Sequence, residues 1–328
     1  MRAHFSNVIK LIISLALIVW LFRRIDVRDV VTMVRGAHPA LLVLATAAYV
    51  GAILSNALKW GILLRAQNVR VPWRLLVEYT FVGVFFNNFL PANVGGDVMR
   101  GYGLAKYIRR RADAAVSVVV DRLIGLMALT SMAVVSALVA FVQHAASNQD
   151  LLAIAGVAVV STAGLAGGFA LMLSRRLRAR VERLIRRTPV LHPVAPLYTR
   201  LSEAVGAYRH RADALAVAFG VALITWVLSN LTQWFLAESL GGGMPLLYIF
   251  LFNPLIGLVL LLPISIGGLG VNQNIFPFFY GLVGVPETLA VSVSFLLQFI
   301  IYVTSLPGGF LWWRERRAHQ GVATTPSA

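Results

Sequence analysis

Five stretches of this chain, Leu41 to Leu64, Ala114 to Phe141, Leu151 to Leu173, Ala212 to Ala237 and Thr288 to Trp312, stay apolar long enough to cross a hydrocarbon layer. A helix rises about 1.5 Å per residue, so roughly 20 such residues cover the ~30 Å of a bilayer core. A sixth run begins near Val8 and ends at Phe22. Behind Lys10 it has the charge and length of a signal-peptide core. Arg23 and Arg24 follow it in place of a small-residue cleavage site, which reads as an uncleaved, short first span. Composition agrees: 59% of the 328 residues are hydrophobic and 13% charged, where soluble domains average about 25% charged. A water-soluble fold cannot hide that much apolar surface.

The net charge of +16 suggests nucleic acid at first sight, but the basic residues gather in short runs between the spans, the pattern that orients membrane proteins. No nucleic-acid partner is expected. Loops 65 to 74, 106 to 111 and 174 to 211 and the tail hold Arg or Lys repeatedly, while loops 142 to 150 and 239 to 244 hold none. With both termini cytoplasmic, 21 of the 29 basic residues face inward and only Arg23, Arg24, Arg28 and Arg35 face out. The expected location is the inner (plasma) membrane, multi-pass. Val27, Val30, Val31 and Val34 repeat at i, i+3, i+4 and i+7, predicting an amphipathic helix on the outer surface. Leu197, Leu201, Val205 and Tyr208 predict a second one inside; the Arg-rich stretch 174 to 187 is equally well a solvated loop.

Two further apolar segments, 75 to 105 and 245 to 283, are interrupted in the middle by Pro and Gly. Basic loops flank the first on both sides, so it must enter and leave from the cytoplasm; the second enters and leaves from outside. Each is predicted to be a re-entrant hairpin of two half-helices, the pair in opposite senses. Leu90-Pro91-Ala92-Asn93-Val94-Gly95-Gly96 and Leu262-Pro263-Ile264-Ser265-Ile266-Gly267-Gly268 share L-P-x-x-(V/I)-G-G at an offset of 172 residues, an internal repeat. Pro ends the incoming half-helix, and the Gly pair permits a sharp turn and a new helix start. Leu-Pro and Gly-Gly are common in membrane chains, so chance is the competing account, yet the charge argument reaches the same inversion independently. Non-helical backbone at membrane depth survives only inside protein or beside a water-filled cavity, and Gly/Pro-broken segments in corresponding halves point to a transport site. The expected fold is therefore an all-α polytopic membrane protein with about six full transmembrane helices and two oppositely oriented re-entrant hairpins forming an inverted repeat. Its boundaries are a first half 1–173, a basic linker 174–211, a second half 212–313 and a cytoplasmic tail 314–328.

Polar residues inside these segments are the candidate translocation site. Asn87 and Asn88 close the incoming half of the first hairpin, and Asp97 and Arg100 begin the returning one. Asp97 reads equally as a helix N-cap. Asp121 and Arg122 lie ten and eleven residues past Arg111, on the order of 15 Å deep, where a charge costs at least about 2.5 to 3.5 kcal/mol and marks a pathway or a buried partner. Their expected partners are Asp97 or an anionic headgroup for Arg122, and Arg100 or backbone donors for Asp121; a structural ion pair is the other reading. The second half offers amides instead: Asn230, Gln233, Asn253, Asn272, Gln273, Asn274 and Gln298. Lys59 is long enough to snorkel from its span. The absence of cysteine closes thiolate and Cys-metal chemistry, the six His fall in predicted loops or ends, and no acidic cluster has metal-ligand spacing. Neither a metal, a cofactor nor a catalytic group is expected.

The ordered set Asn87-Asn88-Phe89-Leu90-Pro91-Ala92-Asn93-Val94-Gly95-Gly96-Asp97, Asp121-Arg122-Leu123-Ile124-Gly125-Leu126, Pro263 to Gly270 and Leu306-Pro307-Gly308-Gly309 resembles the lysylphosphatidylglycerol synthase transmembrane family, also called the flippase-like domain family, along nearly the whole chain. The resemblance implies a lipid-translocating domain whose two hairpins meet at mid-membrane, with Pro91, Gly95, Gly96, Pro263, Gly267 and Gly268 forming their turns. No aminoacyl-transferase domain follows Trp313, so synthase activity is not carried over. Asn272 and Gln273 stand where many members carry Arg and Glu, which removes charge from the second hairpin. The expected function is flipping or scrambling of an anionic phospholipid or isoprenoid-type lipid. A secondary transporter of a small polar solute and a membrane enzyme on a lipid phosphate or sugar-lipid are the alternatives. Membrane lipids are the expected partners, with a second copy of the chain or a lipid-modifying enzyme beside them.

Overall fold

The structure is a computed structural model that describes residues 26–89, 95–143, 208–260 and 267–322, with isolated positions between 17 and 23 and between 156 and 206. Among the described residues every regular element is helical: α1 (Val27–Arg35), α2 (Pro39–Ala66), α3 (Trp73–Phe89), α4 (Gly95–Ile108), α5 (Arg111–Gln143), α6 (Ala212–Ser239), α7 (Leu246–Leu260), α8 (Val271–Gly281) and α9 (Glu287–Val322). Four of them are long and apolar enough to cross a membrane: α2, α6, residues Arg111–Ser136 of α5 and residues Glu287–Arg317 of α9. These answer to four of the six expected spans. The remaining two, near 8–22 and 151–173, lie mostly outside the described residues.

Length separates these spans from the helices of the interrupted segments. Helices α3, α4, α7 and α8 have 17, 14, 15 and 11 residues, or roughly 25, 21, 23 and 17 Å, all short of the ~30 Å hydrocarbon core. Each pair folds back on itself. In the first, Gly83 and Gly96 touch through their backbones and Gly103 lies against the Tyr79 ring. In the second, Phe252 of α7 packs on Phe279 and Tyr280 of α8, at centroid distances of 5.6 and 5.5 Å. The turn residues Pro91 and Pro263 lie outside the described residues.

The amphipathic helix expected at Val27 is α1. Asp26 caps it by accepting the Arg28 N–H at 2.8 Å, and Val30 is buried against Leu21 and Val291 while Val27 and Val31 are exposed. Of the second predicted amphipathic set only Val205 and Tyr208 are described, and both are fully buried. Helix α9 continues past the apolar run, through Val322. Arg316 and Arg317 lie over the Trp312 and Trp313 rings at 4.3 and 3.9 Å, and these cation–π contacts extend the helix past the apolar run.

The chain forms two compact units, residues 1–53, 77–103 and 228–328 in one and 54–76 and 104–227 in the other. The first unit contains α3 from Val77 on, α4 up to Gly103, the second short-helix pair and α9. The second is built on Leu63, Val120, Ile124, Val205, Tyr208, Leu215 and small residues such as Ala128, Ala218 and Ala222. Lipid tails are as apolar as Leu, so helix association depends on close packing, which small residues permit. Val43, Leu58, Val135, Ile224, Phe299 and Phe310 face outward, as suits a surface wetted by lipid.

Candidate functional site

In the first unit the two short-helix pairs come together at their turns. A Cβ on Gly267 would stand 2.7 Å from the Asn88 carbonyl oxygen, so the backbone entering α8 touches the backbone ending α3. Asn87 and Asn88, adjacent and thus about 100° apart on the helix, serve different neighbours. Asn87 Oδ1 accepts the Gly96 N–H at 2.8 Å, and Asn88 Nδ2 donates to Ser305 Oγ of α9 at 2.9 Å. Gly308 of α9 abuts the Phe81 backbone, and Gly309 lies on the Phe85 ring. The Leu306-Pro307-Gly308-Gly309 motif is therefore a seat for the first hairpin.

The charged residues of that hairpin meet each other: Arg100 Nη2 lies 2.9 Å from Asp97 Oδ1, one turn apart and both buried. Asp97 is the third residue of α4, inside the helix and not at its N-cap as the alternative reading had it, and a carboxylate in the first turn complements the helix dipole. The second hairpin carries no charge at its turn. Gln273 Oε1 accepts the Gly270 N–H at 2.7 Å, and Asn274 Nδ2 donates to the carbonyls of Gly270 and Leu17 at 2.7 and 3.2 Å. Asn272 is buried next to them. Deeper in the unit Asn253 donates to Asn230, and Tyr280 to Gln233 at 3.5 Å.

Asp121 and Arg122 belong to the other unit. Asp121 Oδ1 is 3.1 Å from Lys59 Nζ, and Lys59 also donates to the Asp121 carbonyl at 3.3 Å. The reading of Lys59 as a snorkelling residue is corrected: it is 4% exposed, and its long stem bends inward because a buried carboxylate attracts the amine more strongly than a distant headgroup layer does. Gly125 lies beside this pair, where a Cβ would be in ordinary contact at 3.4 Å from Lys59 Nζ, and its carbonyl accepts the Trp226 indole N–H at 2.9 Å. Trp60 beside Lys59 donates to Ser117 Oγ at 3.1 Å. Arg122 is half-buried.

Of the fourteen residues singled out from sequence, Asn87, Asn88, Gly95, Gly96, Asp97, Arg100, Gly267, Gly268, Asn272 and Gln273 thus lie in the first unit. Asp121 and Arg122 lie in the second, and Pro91 and Pro263 fall outside the described residues. Lys59 and Ser305 were missed. For Lys59 a signal existed, since a buried acid on one span calls for a base on another; Ser305 carries none that distinguishes it from other span serines. Among the described residues no three His, Cys, Asp or Glu stand together as metal ligands would.

A family model described as the lysylphosphatidylglycerol synthase TM region matches residues 7–308. A UPF0104 membrane protein of Pyrococcus horikoshii is 23% identical over 327 residues, covering 94% of this chain and 96% of its own. A UPF0104 membrane protein of Methanothermobacter thermautotrophicus is 25% identical over 291 residues, covering 82% and 83%. The matched region takes in both short-helix pairs and the four long apolar helices, apart from the end of α9. This chain is thus a polytopic helical membrane protein that belongs to the lysylphosphatidylglycerol synthase transmembrane family.

Proposed function

We propose that this protein moves a lipid between the leaflets of the inner membrane, its headgroup passing a polar interior beside the two hairpin turns while the tails stay in lipid. The observation that carries this reading is the contact of Asn88 with Gly267. It joins the turns of two helix pairs, each too short to cross a bilayer, and each broken at the same Pro–Gly pattern. Unpaired backbone groups at such turns need a polar surrounding at membrane depth. In the first unit that surrounding includes Asn88, Asp97, Arg100, Asn272, Gln273 and Ser305, all buried.

In this reading segments 75–105 and 245–283 are re-entrant from opposite faces, and the halves 1–173 and 212–313 are inverted copies. Both termini are cytoplasmic, as the basic loops require. Arg100 attracts the phosphate of an anionic phospholipid or isoprenoid-type lipid through charge-assisted hydrogen bonds. Family membership supports a lipid-handling role.

The test is leaflet exchange of headgroup-labelled phospholipid and polyprenyl-phosphate probes in liposomes carrying the purified protein, beside a Gly267→Ala variant. Wild-type exchange reduced at least tenfold in a folded variant supports the reading. Folded wild-type protein that exchanges none of the probes sinks it.

A further inference from the structure

Helix α9 is the most enclosed of the four long apolar helices among the described residues: 67% of its spanning stretch is buried, against 39% or less in α2, α5 and α6. It is also interrupted. Pro307 lies in its interior, where it has no N–H to give the Val303 carbonyl one turn back and its ring crowds that carbonyl. Just before it, the Thr304 hydroxyl donates to the Ile300 carbonyl at 2.6 Å and the Ser305 hydroxyl to the Tyr302 carbonyl at 2.8 Å. Side chains that bond back to their own helix in this way loosen and bend it. Gly308 and Gly309 follow directly, and glycine is the weakest helix former after proline. Residues 303–309 thus gather the usual causes of a helix kink inside a helix of 36 residues.

The arms on either side of this stretch have different partners. The arm that starts at Glu287 packs against α1, where Val291 meets Leu21 and Val30, and against α8. A short turn, closed by the Val285 N–H on the Tyr280 carbonyl, joins α8 to α9. By helical rise α8 covers about 17 Å, whereas Pro307 lies about 30 Å from Glu287, so α8 ends well short of the weak stretch. The arm beyond it lies on α3. Gly308 abuts the Phe81 backbone and Gly309 the Phe85 ring, Trp312 packs edge to face on Phe86 at 5.1 Å between centroids, and Arg314 is 3.6 Å from Glu78. Ser305, inside the weak stretch, holds Asn88. One arm is therefore joined to the second hairpin through α8 and the other to the first hairpin through α3. The Asn88–Gly267 contact between the hairpins bridges the two arms.

We infer that α9 is a hinged lever that bends at residues 303–309 and thereby opens and closes the contact between Asn88 and Gly267. The Val303 carbonyl has no proline N–H to lose, so a change of bend at this point breaks no backbone hydrogen bond there. Each arm keeps its own partners while the angle between them changes. Pro307 is exposed whereas Gly308 is buried, so the proline acts on the backbone of α9 and does not fill a packed site. That a headgroup passes when the contact opens rests on the translocation reading; the hinge itself does not.

The chain has no cysteine, so spin labels can be placed at two exposed positions alone, Tyr102→Cys on α4 and Phe278→Cys on α8. Electron–electron double resonance on the full chain, in liposomes of phosphatidylethanolamine and phosphatidylglycerol, is expected to give two separated distance populations. Pro307→Ala restores the N–H to Val303. It should leave one population and lower leaflet exchange by about tenfold or more, as hinge substitutions do, without lowering the melting temperature. Pro307→Gly keeps the stretch weak and should retain both populations, with exchange within about threefold of wild type. A single narrow population in wild type overturns the inference, and so do two populations that persist in Pro307→Ala. A lower melting temperature in Pro307→Ala would make the proline the support of a fixed bend and overturn it as well. The two readings separate cleanly: both populations in a wild type that exchanges no probe keep the hinge and remove translocation. Exchange at the wild-type rate in a Pro307→Ala variant with one population keeps the hinge and removes its part in translocation.

Discussion

In the first hairpin Gly95 and Gly96 are already the opening residues of α4, and the Gly96 N–H is taken by Asn87. In the second, Gly267 and Gly268 sit in the left-handed region at φ of +59° and +77°, and α8 waits until Val271. The same L-P-x-x-(V/I)-G-G spacing thus supports two local conformations. What the copies share is the close approach that a missing Cβ allows: Gly96 onto the Gly83 backbone, Gly267 onto the Asn88 backbone. They differ again in charge, because the first turn of α4 carries an ion pair and the first turn of α8 carries only amides. Comparison of the two teaches that a repeat of this kind preserves backbone access and leaves side-chain chemistry free to diverge.

The comparison breaks first at its charges. Arg100→Met should cost about 3–5 kcal/mol by leaving the Asp97 carboxylate buried without this partner. The double variant Asp97→Asn/Arg100→Met should recover more than half of that loss in detergent unfolding titrations. A double variant as unstable as the single would mean that the first hairpin is no more charge-dependent than the second. Next come the glycines. Gly267→Ala combines a left-handed backbone with a collision against Asn88, a loss of roughly 2–4 kcal/mol. At Gly268 the nearest neighbour of a new Cβ is a Leu260 methyl at 3.3 Å, which can turn away. Gly268→Ala should therefore cost only the backbone share, about 1–2 kcal/mol. Equal losses at the two positions would show that contact between the hairpins is not what selects glycine.

Asn272→Leu sharpens the contrast from the other side. It removes an acceptor that has no hydrogen-bond partner and keeps the volume, so melting should shift by less than about 1 kcal/mol. The smallest effect belongs to the half-exposed Arg314, 3.6 Å from Glu78 at the mouth of the first hairpin. Arg314→Gln should change stability by under about 1 kcal/mol, and by less still at high salt.

Much of the site was legible because membrane depth penalises irregular backbone and charge so heavily that each exception stands out. Asp97, Arg100 and the Gly pairs were visible for that reason, and so was Asp121. Their partners were less legible. Lys59 was read by its own length and flexibility, which allow snorkelling, whereas its position is set by a carboxylate 62 residues away in sequence. Ser305 looked like any span serine until α9 lay along α3. Apolar content marks only the spanning part of α9, while Arg316 and Arg317, resting on tryptophans one turn back, lie in its continuation.

The sequence by itself determined that the chain is a multi-span membrane protein, that its runs at α2, α5, α6 and α9 are long enough to cross a bilayer, and that Pro and Gly interrupt two other apolar segments. These follow from local properties: the length of an apolar run, the missing N–H of proline, the freedom of glycine. Only the tertiary structure decided which turn touches which, and that Asp121 belongs with Lys59 while Asp97 has Arg100 beside it. Those outcomes depend on register between helices far apart in the chain, and no local rule carries that information.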